Sequence, residues 1–230
     1  MKYNNLLIDL DDTIWDFHQN SKICLEEIYH DYKFDEFYPT FKDYFDVYLP
    51  SNENLWRLYG DGKISRDNLI VERFLAPIRE FGIDDPKYAI SVSDDYLRRT
   101  TEQTALVDGA MELLNYLKPK YKMHILSNGF TEVQYKKINN SGLGGYFDKI
   151  ILSEDAGVNK PHPEIFDYAL KQTNAAAEET IIIGDNWKAD IEGARNSNID
   201  QILLNRNGDN VVGFEPTHIV KSLKEIIDIL

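Results

Sequence analysis

Carboxylates are crowded at the end of the first apolar run of the sequence. The stretch LLIDLDDT places Asp9, Asp11 and Asp12 directly after the apolar residues 6–8. Like charges this close repel one another, and a carboxylate that leaves water loses favourable solvation. A group of opposite charge must therefore compensate these carboxylates in the folded protein.

The same pattern, a polar residue after an apolar run, recurs later in the chain. Ser127 and Asn128 follow YKMHIL, Asp185 follows TIIIG, and Asp190 comes five residues further on in GDNWKAD. Lys160 lies in NKPHPEIF, between two predicted elements. Acids from two strand ends can converge on one point, where a hard divalent cation would offset their repulsion. Mg²⁺ prefers a few carboxylate or carbonyl oxygens and keeps water or phosphate as its other ligands.

The apolar runs that carry these residues are short, β-branched and nearly continuous, which is typical of strands buried on both faces of a parallel sheet. Five such runs are present, namely NLLIDL, YKMHILS, FDKIILS, TIIIGD and DQILLN. Amphipathic stretches accompany the later four, at residues 108–118, 131–140, 163–173 and 187–197. The alternation predicts a doubly wound, Rossmann-like α/β sheet, in which ligands bind beyond the carboxyl ends of the strands.

Residues from about 16 to 100 do not follow this alternation. They form aromatic-rich amphipathic segments without a convincing strand, which predicts an all-helical domain inserted after the first strand. We therefore expect a core domain made of residues 1–15 and 103–230, and a helical cap domain made of residues 16–102. Aromatic residues such as Tyr44, Phe45, Tyr48 and Trp56 are expected in the core of the helical bundle.

Composition narrows the classes of partner. The net charge of the 230-residue chain is −14, which argues against a DNA or RNA polymer because phosphate backbones require basic patches. A small phosphorylated metabolite held by a local cation remains compatible with this charge. The apolar runs are too short to span a membrane, and the first residues, MKYNNLLIDL, lack the features of a signal peptide. We expect a cytoplasmic protein without a membrane partner, in an oligomeric state that the sequence leaves open.

Together, the polar residues resemble the four motifs of the magnesium-dependent phosphatases of the haloacid dehalogenase superfamily, in the same order. D-x-D-x-T corresponds to Asp9 through Thr13, the strand-terminal Ser or Thr to Ser127, the lysine to Lys160, and G-D-x-x-x-x-D to Gly184 through Asp190. Members of this superfamily often carry a helical cap between the first two motifs. The longer phrases IDLDDTIWDF and KPHPEIFDYAL resemble the branch of bacterial pyrimidine 5′-nucleotidases, which implies nucleoside monophosphates as substrates.

The resemblance implies a catalytic role for three residues. Asp9 would attack phosphorus and form an aspartyl-phosphate, which splits one displacement into two. Asp11 would protonate the leaving group and then activate water, a contribution of roughly 10²–10⁴-fold. Lys160 would neutralise phosphate charge and keep Asp9 ionised.

The remaining motif residues are assigned to the substrate and the metal. Thr13 would order the turn that presents both acids, while the Ser127 hydroxyl and the Asn128 backbone N–H would bind phosphoryl oxygens. Mg²⁺ would be held by Asp9, Asp185 and the backbone carbonyl of Asp11. Asp190 would either contact the ion or act through another ligand. The predicted cap would close over a small substrate, with Trp15, Phe17 and His18 as candidates to stack on a base.

Alternative functions differ in the chemistry that they require. A sugar-phosphate phosphatase or a phosphomutase would use the same residues on another substrate. A 2-haloacid dehalogenase is disfavoured by Asp11, because displacement of a halide from carbon needs no acid for the leaving group. A non-catalytic binding module that kept the fold would bind metal without turning over any phosphate ester.

Overall fold

A computed structural model describes residues 2–208, 211 and 213–230 of the chain. Within these residues the sheet contains six parallel strands, which are β1 (Asn5–Ile8), β2 (Lys122–Ser127), β3 (Lys149–Leu152), β4 (Thr180–Gly184), β5 (Asp200–Leu204) and β6 (His218–Val220). Their order across the sheet is β3-β2-β1-β4-β5-β6. The strand order reverses at β1, and open α/β sheets bind their ligands at such a switch point.

Side chains of β1 alternate between two aliphatic clusters. Leu6 and Ile8 join a cluster that includes Ile125 and Ile183. Leu7, which points to the opposite face, joins a second cluster with Ile182 and other aliphatic residues. Because both faces are covered, the strands read as continuous apolar runs rather than as alternating ones.

The chain divides into two compact units, one made of Met1–Phe17 with Thr104–Leu230 and one made of His18–Gln103. We call these the sheet unit and the helical unit. The division falls between residues 17 and 18 and between residues 103 and 104, whereas the sequence predicted it between 15 and 16 and between 102 and 103. Four long helices form the helical unit, namely α1 (Phe17–Asp31), α2 (Phe41–Gly60), α3 (Arg66–Arg79) and α4 (Pro86–Glu102).

The starts of three of these helices follow from their capping residues. Thr40 accepts a hydrogen bond from the Asp43 N–H and forms a capping box with that residue at the start of α2. Ser65 caps α3 through the Asn68 N–H. Asp85 accepts from two N–H groups at the start of α4, where Pro86 takes a position that needs no donor.

The sheet unit contains α5 (Ala110–Leu117), α6 (Thr131–Asn140), α7 (Ser153–Ala156), α8 (Pro163–Thr173) and α9 (Gly193–Asn196). The predicted helices at 131–140 and 163–173 have these bounds in the structure. The one predicted at 187–197 begins instead as a π-helical segment, Trp187–Glu192. The predicted doubly wound sheet with a helical insertion is confirmed.

Strand β6 was not predicted from the sequence. It has only three residues, and Ile219 is exposed, so the segment lacks the apolar run that marks the other strands. Its register against β5 depends on backbone pairing from Ile202 to Leu204.

Every helix found among the described residues is too short or too polar to cross a lipid bilayer.

Candidate active site

Asp9 follows β1 directly and is 8% exposed. Its N–H donates to the Ile183 carbonyl at 2.9 Å, which continues the strand pairing and fixes the backbone. Asp9 Oδ1 accepts a hydrogen bond from Lys160 Nζ at 2.6 Å. Lys160 donates its other ammonium hydrogens to the Leu126 carbonyl at 2.7 Å and to Asp190 Oδ1 at 2.6 Å. The buried ammonium therefore has three acceptors and a fixed position.

Asn128 holds the backbone of Lys160 in place. Its Oδ1 accepts from the Lys160 N–H at 2.8 Å, and its Nδ2 donates to the Lys160 carbonyl at 3.0 Å. The end of β2 is thereby tied to the loop that precedes α8. The predicted role of the Asn128 backbone N–H toward phosphate stays a prediction.

Three carboxylates meet at this edge of the sheet. Oxygens of Asp9, Asp185 and Asp190 lie within 4.8 Å of one another. Asp190 is completely buried, and its Oδ2 accepts from the Asn186 N–H at 3.1 Å. A Cβ at Gly184 would lie 2.4 Å from Asp190 Cγ, so only glycine leaves room for this carboxylate.

Thr13 is fully buried, and its hydroxyl donates to Asp185 Oδ1 at 3.1 Å. This contact links the turn after β1 to the end of β4. The hydroxyl hydrogen of Thr13 is thus used within the protein, where it orients a carboxylate of the acidic cluster. Its predicted contribution to substrate binding stays a prediction.

Electrostatics of the cluster favour an additional cation. Burial raises the pKa of the Asp9 carboxyl well above its usual range, and the Lys160 ammonium opposes this shift. Burial, together with the charges of Asp190 and Asp12, raises the pKa of Asp185 to about 7. One ammonium faces three carboxylates, so the cluster needs further positive charge to hold all three ionised. Its hard oxygen donors fit Mg²⁺.

Asp11 is held by two residues that the sequence analysis did not identify. Its Oδ1 accepts from Lys137 Nζ at 2.7 Å, and its Oδ2 accepts from Gln134 Nε2 at 2.7 Å. Both partners lie on α6 and are buried. The available signal was that Gln134 and Lys137 occupy the same helical face as the apolar Val133 and Ile138, where polar residues are unusual.

Ser127 ends β2 and is 2% exposed. Its Oγ accepts from the Gly129 N–H at 3.2 Å and from Gln134 Nε2 at 2.7 Å. Since these two N–H donors take up the acceptor capacity of the hydroxyl, its hydrogen remains available to donate to a third group. This arrangement suits a contact with a phosphoryl oxygen.

Trp15 does not offer its ring to a nucleotide base, contrary to expectation. The side chain is completely buried, and the Lys137 ammonium lies 4.3 Å from a ring centroid of Trp15. The ring belongs to the aliphatic cluster that contains Leu6 and Ile8. Within the helical unit, the His18 ring contacts the edge of Phe45 at a centroid distance of 6.2 Å.

The chain is similar over its whole length to three bacterial proteins. It is 34% identical to the HAD-hydrolase YfnB of Bacillus subtilis, covering 100% of this chain and 96% of YfnB. The pyrimidine 5′-nucleotidase YjjG of Escherichia coli is 31% identical, with 100% of this chain and 99% of YjjG covered. The pyrimidine 5′-nucleotidase PynA of Streptococcus pneumoniae is 30% identical, with 100% and 96% covered.

The fold agrees with these similarities. A crystal structure of YfnB bound to magnesium matches this chain with a TM-score of 0.88 and 33% identity, covering 100% of this chain and 99% of that one. Residues 3–198 match the family model of haloacid dehalogenase-like hydrolases. These similarities, together with the arrangement of Asp9, Lys160 and Asp185, confirm the resemblance seen in the sequence: the chain is a hydrolase of the phosphatase type and belongs to the haloacid dehalogenase-like family.

Proposed function

We propose that the protein is a magnesium-dependent phosphomonoesterase that acts through an aspartyl-phosphate, with pyrimidine nucleoside 5′-monophosphates as preferred substrates. The observation that carries this proposal is the buried Asp9 carboxylate, fixed by Lys160 beside Asp185 and Asp190. A carboxylate fixed at the switch point of the sheet can act as a nucleophile toward phosphorus.

In this mechanism Asp9 attacks the phosphorus atom of the ester. Lys160 keeps the Asp9 carboxylate oriented through the 2.6 Å contact to Oδ1. Because all hydrogens of the Lys160 ammonium already have acceptors, the residue acts on phosphate through its charge while those contacts persist. Asp11 gives a proton to the leaving alkoxide and afterwards takes one from the attacking water.

The acidic cluster is the proposed site for Mg²⁺. Asp9, Asp185 and the backbone carbonyl of Asp11 would hold the ion, which when bound neutralises charge on the phosphoryl oxygens. Both carboxylate oxygens of Asp190 already accept hydrogen bonds, from Lys160 and from the Asn186 N–H. We therefore assign Asp190 to the support of Lys160, and the lone pair that each of its oxygens retains leaves a direct contact with the ion open to it.

Substrate preference is proposed from the relatives YjjG and PynA, both of which are pyrimidine 5′-nucleotidases. The Ser127 hydroxyl and the Asn128 backbone N–H would bind phosphoryl oxygens, with Thr13 ordering the turn that presents both acids. We propose small metabolites as substrates, because the net charge of −14 disfavours polyanions.

Initial rates across a panel of phosphate esters test the proposal. The panel contains uridine, cytidine, adenosine and guanosine 5′-monophosphates, ribose 5-phosphate and a phosphopeptide. We expect the pyrimidine nucleotides to react fastest, with phosphate release that stops with a chelator and returns with Mg²⁺. Asp9→Asn should abolish turnover while the fold remains intact, because an amide is a poor nucleophile.

A separate experimental outcome would contradict each part of the proposal. Faster turnover of ribose 5-phosphate than of every nucleotide would leave a general phosphatase and reject the nucleotidase. Full activity after exhaustive metal removal would reject the role of Mg²⁺. Turnover by Asp9→Asn at the wild-type rate would reject the aspartyl-phosphate.

A further inference from the structure

The Asp11 carboxylate is held by two donors that lie three residues apart on α6. Lys137 and Gln134 each contact one carboxylate oxygen at 2.7 Å, and they are 3% and 0% exposed. We propose that Gln134 and Lys137 are positioning residues that hold the ionised Asp11 as the base for the second half of the reaction. This inference rests on the aspartyl-phosphate mechanism proposed above.

The orientation of the Gln134 amide follows from its partners. An ionised carboxylate only accepts hydrogen bonds, so the nitrogen of the amide must face Asp11 Oδ2. The same nitrogen donates to Ser127 Oγ at 2.7 Å, which couples the base to the proposed phosphate-binding hydroxyl. Gln134 Oε1 is then buried without a hydrogen-bond partner among the described residues. A polar atom that is buried without a partner lowers stability, so stability alone does not explain the glutamine.

Gly129 makes this placement of Gln134 possible. A Cβ at Gly129 would lie 2.2 Å from Gln134 Nε2 and 2.5 Å from its Cδ. A side chain at this position would force the amide away from both Asp11 and Ser127. The glycine after Ser127 and Asn128 is therefore part of the support for the base.

Two aromatic rings direct Lys137 toward Asp11. The ammonium lies 4.3 Å from a ring centroid of Trp15 and 5.2 Å from that of Phe17. Ring faces attract an ammonium, and the attraction grows as the ammonium is removed from water. The buried Lys137 is thus surrounded by one carboxylate and two rings, and its charge is directed to the carboxylate.

The hydrogen bonds to Asp11 suit the ionised carboxylate that a general base requires. N–H donors on both oxygens suit a carboxylate, and each oxygen retains a lone pair that can accept a proton. In the second half of the reaction, the oxygen of water forms a bond to phosphorus and the bond between phosphorus and Asp9 breaks. The electron pair of that bond returns to the Asp9 carboxylate, and the proton of the water passes to Asp11.

Rapid mixing with 2,4-dinitrophenyl phosphate separates the two halves of the reaction, because this leaving group departs without an acid. In Lys137→Met and in Gln134→Leu, we expect a burst of about one dinitrophenolate per active site at the wild-type rate. Steady-state turnover should then fall by roughly 10–10², since only the base-dependent step is impaired. Lys137→Arg should restore most of the steady-state rate, because it keeps a charged donor.

Lys136→Met is the matched control, since Lys136 is the exposed neighbour of Lys137 on α6, and its turnover should equal that of the wild type. Equal slowing of burst and steady state in both variants, or no slowing of either, overturns the inference. If one variant does not fold, the other carries the same test. A wild-type protein that hydrolyses no phosphate ester rejects the proposed function, and the inference with it. If the wild type is active but the variants do not slow the steady state more than the burst, only the inference is rejected and the proposed function stands.

Discussion

The two units fill their interiors with different side chains. The clusters of the sheet unit consist mainly of leucine and isoleucine, whereas the buried cluster of the helical unit is rich in aromatic residues: Tyr29, Phe34, Tyr38, Tyr44, Tyr48, Phe74 and Tyr96. Branched aliphatic side chains suit the pleated surface of a sheet. In the helical unit aromatic rings pack against one another, as Tyr44 does against Phe34 at a centroid distance of 4.9 Å.

The two units also surround their buried cations with different groups. In the sheet unit, Lys160 and Lys137 each contact a carboxylate. In the helical unit, Arg73 is 2% exposed and donates to the Ser93 hydroxyl, with its guanidinium 5.3 Å from the ring centroid of Tyr96. A buried cation beside carboxylates therefore marks the proposed site, whereas one beside a hydroxyl and aromatic rings contributes to packing.

The largest expected effect on stability comes from replacing each type of buried cation by methionine. Lys160→Met should lower the free energy of unfolding of the sheet unit by about 3–5 kcal/mol, because Asp9 and Asp190 lose their shared counter-charge. Arg73→Met should cost the helical unit no more than about 2 kcal/mol, because it removes a charge without leaving a carboxylate unpaired. Hydrogen exchange, read separately over the two units, measures both.

An exposed lysine of β3, Lys149, supplies the control for the first variant, and Lys149→Met should change stability little. Equal losses for Lys160→Met and Arg73→Met would erase the distinction between the two kinds of buried cation. Added Mg²⁺ should recover part of the loss in Lys160→Met, since a cation at the acidic cluster replaces some of the missing charge.

An intermediate effect is expected from His124, whose ring nitrogens both lack a hydrogen-bond partner among the described residues. Burial lowers its pKa below the usual 6.5, an effect that Lys122 and Lys149 reinforce and Asp148 opposes. The unfolded chain takes up a proton below pH 6.5 while the folded imidazole stays neutral. The contribution of His124 to stability is therefore complete above this pH and is lost as the pH falls toward the lowered pKa.

Urea unfolding of wild type and His124→Leu between pH 7.5 and pH 5 isolates this contribution, because other groups titrate equally in both proteins. The stability difference should change by at most about 1.4 kcal/mol per pH unit, with the wild type losing more as the pH falls. A difference that is constant across this range would mean that the imidazole is solvated or paired in the folded protein.

Local patterns in the sequence predicted the strands that position the candidate site. Residues such as Asp9 and Asp185 could be placed because they end continuous apolar runs, and parallel strands bring such ends to one edge. The structure brings oxygens of Asp9, Asp185 and Asp190 together, and hydrogen bonds add Thr13 through Asp185 and Asn128 through Lys160. Asp11 and Ser127 are joined to each other instead, through Gln134. Their individual roles remain proposals.

The support provided by α6 could not be predicted in the same way. Gln134 and Lys137 contact Asp11 across more than a hundred positions of sequence, and no local pattern specifies such a contact. The π-helical start at Trp187 was also missed. There the Ile191 N–H bonds to the Asn186 carbonyl five residues back at 3.4 Å, which is the π-helical pattern. The same turn places the Asp190 carboxylate against Lys160 at 2.6 Å, a tertiary contact that no local pattern specifies.

The smallest expected effect concerns two buried tyrosines of the helical unit. The Tyr29 hydroxyl donates to the Tyr38 carbonyl at 2.7 Å, whereas the Tyr44 hydroxyl has no hydrogen-bond partner among the described residues. Tyr29→Phe should cost about 1 kcal/mol, because it leaves a buried carbonyl without its donor. Tyr44→Phe should instead raise stability by up to about 1 kcal/mol, because it removes a polar group that is buried without compensation. Hydrogen exchange of the α2 amides should reveal the opposite signs. Equal losses of stability in both variants would mean that a buried water molecule accepts the hydrogen bond of the Tyr44 hydroxyl. The interiors of the two units would then differ in the shape of their side chains and not in unpaired polar groups.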